Sequence, residues 1–153
     1  MASPAAERGL ARFINIPGGM SAEEAVSRAD ANIVFYREPA FAAIDEALRE
    51  LSAECRREAA QVRAPHIADR ACAIVNFAGP FKLEAIGAAA VSLAKLAHEI
   101  AQRGAVSALA LHAVQLHVQA LHALRIAPAP DPARDELLID GLEKISARAL
   151  ARP

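Results

Sequence analysis

The residues best suited to chemistry in this 153-residue chain are its histidines and cysteines. Three histidines, His112, His117 and His122, recur every five residues. A five-residue step turns successive side chains by about 140° around a helix, whereas ligands on one helix need steps of three or four to bind zinc. The spacing therefore predicts no metal site. His117 falls on the apolar stripe of its helix, which predicts a buried, hydrogen-bonded neutral ring, and the other two are predicted to lie at the surface.

The two cysteines, Cys55 and Cys72, are too few for a disulfide framework and predict a reducing, cytoplasmic setting. Two free thiols are the simpler expectation, and a redox bridge between them is the alternative. A reactive Cys72 thiolate, accepting phosphate or acting as a redox switch, would need a nearby cation or base, and Arg70, Lys82 and His66 are the closest in sequence. Phosphate-binding loops and nucleophile elbows are not found. We therefore predict neither an enzyme nor a cofactor.

Composition favours a helical protein that binds neither nucleic acid nor membranes. Hydrophobic residues make up 54% of the chain and aromatic residues only 4%, so the core must consist of small aliphatic side chains, which suit close-packed helices. The formal net charge is -1, which provides no attraction to a polyanion. The longest strongly apolar run, residues 85–94, is about half the length that a membrane-spanning helix requires. The opening residues also lack the apolar core of a signal peptide.

Local signals divide the chain into a tail and a single helical domain at 21–150. Residues 1–20 are predicted to form a loose tail that contains a short apolar segment at 13–16. Ser21 and Glu24 form a capping box at the start of the first helix. Pro39 is predicted to end that helix, or to begin the next one as its first-turn residue.

Each later helix is predicted from one buried stripe, and the breaks lie at Ala64-Pro65, at Gly79-Pro80 and at Gly104, which is expected in the left-handed conformation. The stripes are Phe41, Ile44, Leu48, Leu51, Cys55, Ala59 and Val62; Ile67, Ala71, Ile74, Val75 and Ala78; Leu83, Ile86, Ala90, Leu93, Ala97 and Ile100; Leu138, Leu142, Ile145 and Ala149.

The helix predicted at 105–126 is apolar nearly all round. Leu111, Leu116 and Val118 lie away from its main stripe, so the helix needs two neighbours. One neighbour is the bundle. The other is either the extra C-terminal helix at about 132–150 or a second copy of the chain in a homodimer.

The helix that contains Cys72 has an unusual outer face. Asp69, Cys72, Ala73 and Asn76 lie away from its buried stripe and are small and weakly polar, unlike the Lys- and Glu-rich surface of the preceding helix. Such a face suits close approach by another protein. The alternative is that a further helix or the N-terminal arm covers it.

The stretch from His66 to Lys95 resembles the phosphoacceptor hairpin of histidine-containing phosphotransfer (Hpt) domains. The resemblance rests on the turn Phe77-Ala78-Gly79-Pro80-Phe81 and the long helix from Leu83 to Arg103, and it extends over about 39–126. Members of this family carry a reactive histidine followed three and four residues later by Lys and Gly. Counting back from the turn places those three positions at Cys72, Val75 and Asn76. His66 cannot replace the missing histidine, because the turn would then no longer align.

The resemblance implies an antiparallel four-helix bundle of Hpt type, here with an added N-terminal helix and a C-terminal helix. It also implies a cytoplasmic role in bacterial two-component or chemotaxis-like signalling. A thiol at position 72 supplies no imidazole nitrogen, and Val75 supplies no charge, so the chain is expected to be a pseudo-phosphotransfer module. It would dock a receiver domain or histidine kinase through Asp69, Cys72, Ala73, Asn76 and Lys82 without carrying phosphate. A dimeric helical scaffold is the competing hypothesis.

Overall fold

The computed structural model describes residues 21–127 and 129–151, and over these residues the fold is all-α. The helices are α1 (Ala22–Cys55), α2 (Ala64–Ala78), α3 (Glu84–Arg103), α4 (Ala108–Ile126) and α5 (Pro132–Ala151). Short 3-10 turns lie at Ala59–Gln61 and Gly79–Phe81. No described helix is both long and apolar enough to cross a membrane. The predicted tail at 1–20, with its apolar segment at 13–16, lies outside the described residues.

The start of α1 has the predicted capping box. The Glu24 amide donates to the Ser21 hydroxyl at 3.1 Å, and the Ser21 amide donates to a Glu24 carboxylate oxygen at 2.9 Å. The prediction that Pro39 ends this helix was wrong, because α1 continues through it. A proline removes one backbone donor, and here the proline lies on the exposed surface, where water can satisfy the freed carbonyl.

The chain divides into two compact units between Arg37 and Glu38, a position inside α1. In the second unit, α1 and α4 run antiparallel, because their contacts pair earlier residues of one helix with later residues of the other. These contacts join Asp45 to Arg125, Ser52 to His122, and the Cys55 carbonyl to Gln115. Helix α2 packs against α3, and α3 packs against α4. Contacts of Glu50 in α1 with His66 and Arg70 in α2, described below, complete the ring of four helices.

The predicted stripes form the core of this unit. Their buried members are Ile44, Leu48, Leu51, Ile67, Ala71, Ile74, Ala78, Ile86, Ala90, Leu93, Ala97, Ile100, Leu142 and Ala149. One boundary was wrong: the stripe predicted a helix through Val62, but α1 ends at Cys55. The amides of Arg56 and Arg57 bond to carbonyls three residues back, which tightens the chain and ends the α-helical pattern.

The last two helices begin at side-chain caps. The Ser107 hydroxyl accepts a hydrogen bond from the Ala110 amide at 3.1 Å, so α4 begins at Ala108 rather than at the predicted 105. Asp131 accepts from the Arg134 amide at 3.2 Å at the start of α5. Gly104, with φ 72°, has the predicted left-handed conformation.

Helix α5 packs against both α3 and α4. The described chain therefore supplies α4 with a second neighbour. Of the three apolar residues off the main stripe of α4, Val118 is buried, and Leu111 and Leu116 are half-buried.

Candidate functional site

The small outer face of α2 is open to solvent in the described structure. Asp69, Cys72 and Asn76 are exposed and Ala73 is half-buried; we call these four residues the Cys72 face. They lie within two turns of one helix, so helical geometry brings them together. The opposite side of α2 is fixed by buried Ile67, which lies in the core. The face is therefore a short, shallow surface on a rigid support.

The structure also shows the surroundings of the two residues at the family's lysine and glycine positions. Val75, at the family's lysine position, is half-buried and packs against the core. Asn76, at the family's glycine position, is exposed. The residue at position 75 therefore contributes packing to the core and no charge to the surface.

Of the three candidate cations or bases that lie closest to Cys72 in sequence, two contact α1. His66 Nε2 lies 3.3 Å from a Glu50 carboxylate oxygen, and an Arg70 guanidinium nitrogen lies 3.7 Å from the other oxygen. These contacts join α1 to α2. Both side chains face the Glu50 carboxylate, which is not the arrangement that activates a thiolate at Cys72.

The third candidate, Lys82, lies on the connection between α2 and α3. Its side chain is exposed and its backbone has φ 56° and ψ 36°, in the left-handed region. Gly79, by contrast, has right-handed helical angles, so the left-handed residue at the break predicted at Gly79-Pro80 is Lys82. A non-glycine residue in this conformation carries a cost of about 1–2 kcal/mol.

Sequence reasoning missed the buried carboxylate that holds α2 in place. Glu54 is 1% exposed, near the end of α1. It accepts hydrogen bonds from the Arg63 side chain and, at 3.3 Å, from the Arg63 amide, and it forms an ion pair with Arg57 at 3.1 Å. Arg63 immediately precedes α2, so Glu54 fixes where that helix begins. The sequence contained a signal for the burial of Glu54, because Glu54 lies three residues after the buried Leu51, on the same side of the helix.

The charges around Glu54 explain how it can be buried. Burial by itself raises the pKa of a carboxyl group, but the hydrogen bonds from Arg63 and the positive charges of Arg57 and Arg63 outweigh burial, so the pKa of Glu54 is lowered. The carboxylate is therefore ionised at neutral pH and closes the loop between α1 and α2.

Both cysteines are free thiols, in different surroundings. Cys72 is exposed, and Cys55 is half-buried. Burial, together with the neighbouring negative charge of Glu54, raises the pKa of Cys55 to about 11. Cys55 is therefore almost entirely protonated at neutral pH, and its carbonyl serves as an acceptor for Gln115.

The prediction for His117 is confirmed. The ring is fully buried, Nδ1 lies 2.8 Å from the Ala113 carbonyl oxygen, and Nε2 lies 3.0 Å from the Ser92 hydroxyl and 3.4 Å from the Ser146 hydroxyl. A carbonyl only accepts, so Nδ1 carries the proton and Nε2 accepts from serine. Burial lowers the pKa of His117, although its bond to Ala113 opposes the shift. The ring joins α3, α4 and α5 as a neutral group.

The other two rings of the five-residue series, His112 and His122, are exposed as predicted. His122 Nε2 lies 2.9 Å from the Ser52 hydroxyl, which itself donates to the Leu48 carbonyl, so the ring nitrogen is the donor in this pair. Among the described residues, no group of three or more His, Cys, Asp or Glu side chains is arranged to hold a metal ion.

Comparisons of the chain with protein-family models, with curated proteins and with solved structures found no match.

Proposed function

We propose that this protein is a pseudo-phosphotransfer module of the Hpt type, which docks a receiver domain or a histidine kinase without carrying phosphate. The docking residues are the Cys72 face, Asp69, Cys72, Ala73 and Asn76, together with Lys82 on the adjoining turn. The partner class comes from the resemblance in the hairpin at 66–95.

The observation that carries the proposal is the exposure of the Cys72 face on a helix whose other side is locked into the core. Short side chains let a partner approach the helix closely, and a rigid support lowers the entropy lost on binding. The larger neighbours, His66 and Arg70, lie against Glu50 of α1.

The same face is poorly suited to phosphotransfer. A histidine nitrogen must attack the donor phosphate, and a nearby cation must offset the transferred charge. Position 72 has a thiol and position 75 has a half-buried valine. We therefore propose that the chain acts as a competitor or sink-blocker within a phosphorelay, in the cytoplasm of a bacterial cell.

Defined receiver domains and histidine kinases from the same cell provide the test, in a pull-down paired with a radiolabelled phosphotransfer assay. We expect one of them to be captured without label on this chain. Asn76→Arg, at an exposed position, and Ala73→Arg should both abolish capture, because a long charged side chain prevents close approach. Ala53→Arg, at an exposed alanine of α1, is the matched control and should leave capture intact.

Two results would refute the proposal. Label transferred to this chain would show that it carries phosphate after all. Capture that survives both Asn76→Arg and Ala73→Arg would show that the Cys72 face is not the docking surface.

A further inference from the structure

Helix α5 buries less of its own surface than the other helices of the second unit. Its buried side chains are Leu142 and Ala149, whereas α3 has buried side chains along most of its length, from Ile86 to Ile100. Four further apolar side chains of α5 pack against the core while only half-buried: Leu138, Ile139, Ile145 and Leu150. A helix with few buried side chains is the kind of element that opens locally while the rest of a protein stays folded.

Two polar contacts join α5 to its neighbours. The Arg103 side chain donates a hydrogen bond to the Leu150 carbonyl at 2.6 Å, at the exposed end of α3. The second contact lies deeper, where the Ser146 hydroxyl is 3.4 Å from His117 Nε2. The same nitrogen lies 3.0 Å from the Ser92 hydroxyl of α3. Helices α3 and α5 therefore cover the same nitrogen of the ring, and α5 is the less buried of the two.

The groups that contact the ring nitrogens of His117 are neutral. They are the Ala113 carbonyl of α4 itself, the Ser92 hydroxyl of α3 and the Ser146 hydroxyl of α5. The charged and titratable side chains nearest to these contacts in the chain are all exposed: Lys95, His98 and Glu99 on α3, His112 and His122 on α4, and Glu143, Lys144 and Arg148 on α5. Burial lowers the pKa of His117 and the bond to Ala113 raises it, so neither cause is a charged side chain. A proton on the buried ring would have no counter-charge among these contacts.

We propose that α5 is a pH-sensitive latch, which protonation of His117 releases from α3 and α4 while the ring of four helices stays folded. A protonated ring needs water, because burying a charge without a partner is costly. Water reaches Nε2 if either α3 or α5 moves away, and α5 has fewer buried side chains to expose. Release uncovers the parts of α3 and α4 against which α5 packs, so the surface that this protein presents changes with pH.

Linkage gives the size of the effect. In the released state the ring is in water and titrates near its ordinary pKa of 6.5, whereas in the attached state it stays neutral. The ratio of released to attached α5 therefore rises about tenfold as the pH falls from about 7.5 to 5.5. Above about pH 7.5 the ring is neutral in both states, and the ratio stops changing.

Native-state hydrogen exchange of the full chain, read by mass spectrometry of its peptides, measures this ratio once the rates are divided by those of the unfolded chain at the same pH. We expect the amides at 142–149 to be less protected than those of α2 at both pH values. They should lose about tenfold in protection between about pH 7.5 and 5.5. Their exchange should also depend less steeply on urea than that of α2, because releasing one helix exposes less surface than unfolding the whole chain.

Two variants separate the trigger from the release. His117→Gln should abolish the tenfold change in α5, and His112→Gln, at an exposed ring of the same helix, is the matched control that should retain it. Leu142→Asp tests the release without relying on the ring, because it places a charge at a buried position of α5. We expect α5 to lose its protection at every pH in this variant while α2 remains protected. Ala147→Asp, at an exposed position of α5, should leave both helices protected.

Each contrary result would overturn the proposal. Equal protection and equal urea dependence in α5 and α2 would mean that α5 opens only together with the whole chain. A protection of α5 that does not change with pH, or that changes as much in His117→Gln, would remove His117 as the trigger. Loss of protection of α2 in Leu142→Asp would show that the ring of four helices does not stay folded without α5. These measurements involve no signalling partner, so their outcome is independent of docking at the Cys72 face.

Discussion

The buried ring of His117 should make this protein less stable as the pH falls through the mildly acidic range. The ring is fully buried and neutral, and its two nitrogens contact Ala113 and Ser92. Protonation would place a positive charge among three packed helices. The folded state therefore resists a proton that the unfolded chain accepts, which is why burial lowers the pKa of His117.

The size and direction of the effect follow from linkage. The unfolded ring titrates near pH 6.5, and above about pH 7.5 it is neutral in both states, so it adds no pH dependence there. As the pH falls below that value, the unfolded state binds the extra proton and the free energy of unfolding decreases. If the folded ring stays neutral, the loss between about pH 7.5 and 5.5 is about 1.4 kcal/mol. The loss stops once the pH passes the lowered pKa of the folded state.

Urea unfolding of wild type and His117→Gln at about pH 7.5, 6.5 and 5.5 measures this term. The variant is expected to be less stable at every pH, because the glutamine fits the site poorly, but its stability should vary less with pH than that of wild type. The difference between the two slopes isolates His117 from the other titrating groups. His112→Gln, at an exposed ring on the same helix, is the control and should keep the wild-type slope.

Two observations would refute this reasoning. One is a wild-type stability that does not decrease over this range. The other is a His117→Gln variant whose free energy of unfolding varies with pH as much as that of wild type, which would assign the dependence to other groups.

Three further predictions concern Glu54, which fixes the start of α2, Gly141 in α5, and the two cysteines. Glu54→Gln should lower the free energy of unfolding by about 1–3 kcal/mol, because the buried charge-assisted bonds to Arg63 are weakened; an unchanged urea midpoint would contradict this. Gly141→Ala should raise it by about 0.5–1 kcal/mol, since an added Cβ meets nothing within 4 Å in α5, and a lower melting temperature would contradict this. A thiol reagent at about pH 8 should react faster with exposed Cys72 than with Cys55, whose pKa is about 11. Cys72→Ser should remove the fast phase of the reaction. A fast phase that persists in Cys72→Ser would contradict the assignment of that phase to Cys72.

Much of the fold could be predicted from local sequence. The Ser21 and Glu24 capping box, the left-handed Gly104 and the Asp131 cap depend on neighbouring residues, so a short window of sequence contains their causes. Buried stripes were equally predictable, because a helix packed on one side must repeat its apolar residues every three or four positions.

The two wrong predictions arose where the surroundings in the folded chain, rather than the local sequence, decided the outcome. Pro39 lies on an exposed part of α1, where losing one hydrogen bond does not end a helix. The stripe that ran on to Val62 was read as helix, but α1 ends at Cys55 and the chain turns so that Arg63 reaches Glu54. Neither outcome can be read from helix propensity.

The candidate site shows the same division between local and distant information. Helical spacing places Asp69, Cys72, Ala73 and Asn76 on one face, and the sequence alone determines which chemical groups that face presents. Only the tertiary structure shows that the face is exposed, that Arg70 and His66 lie against Glu50, and that α5 packs against α3 and α4. The physical reason is that periodicity reports which residues share a side of a helix. Which partner covers that side is decided by contacts between residues far apart in the chain.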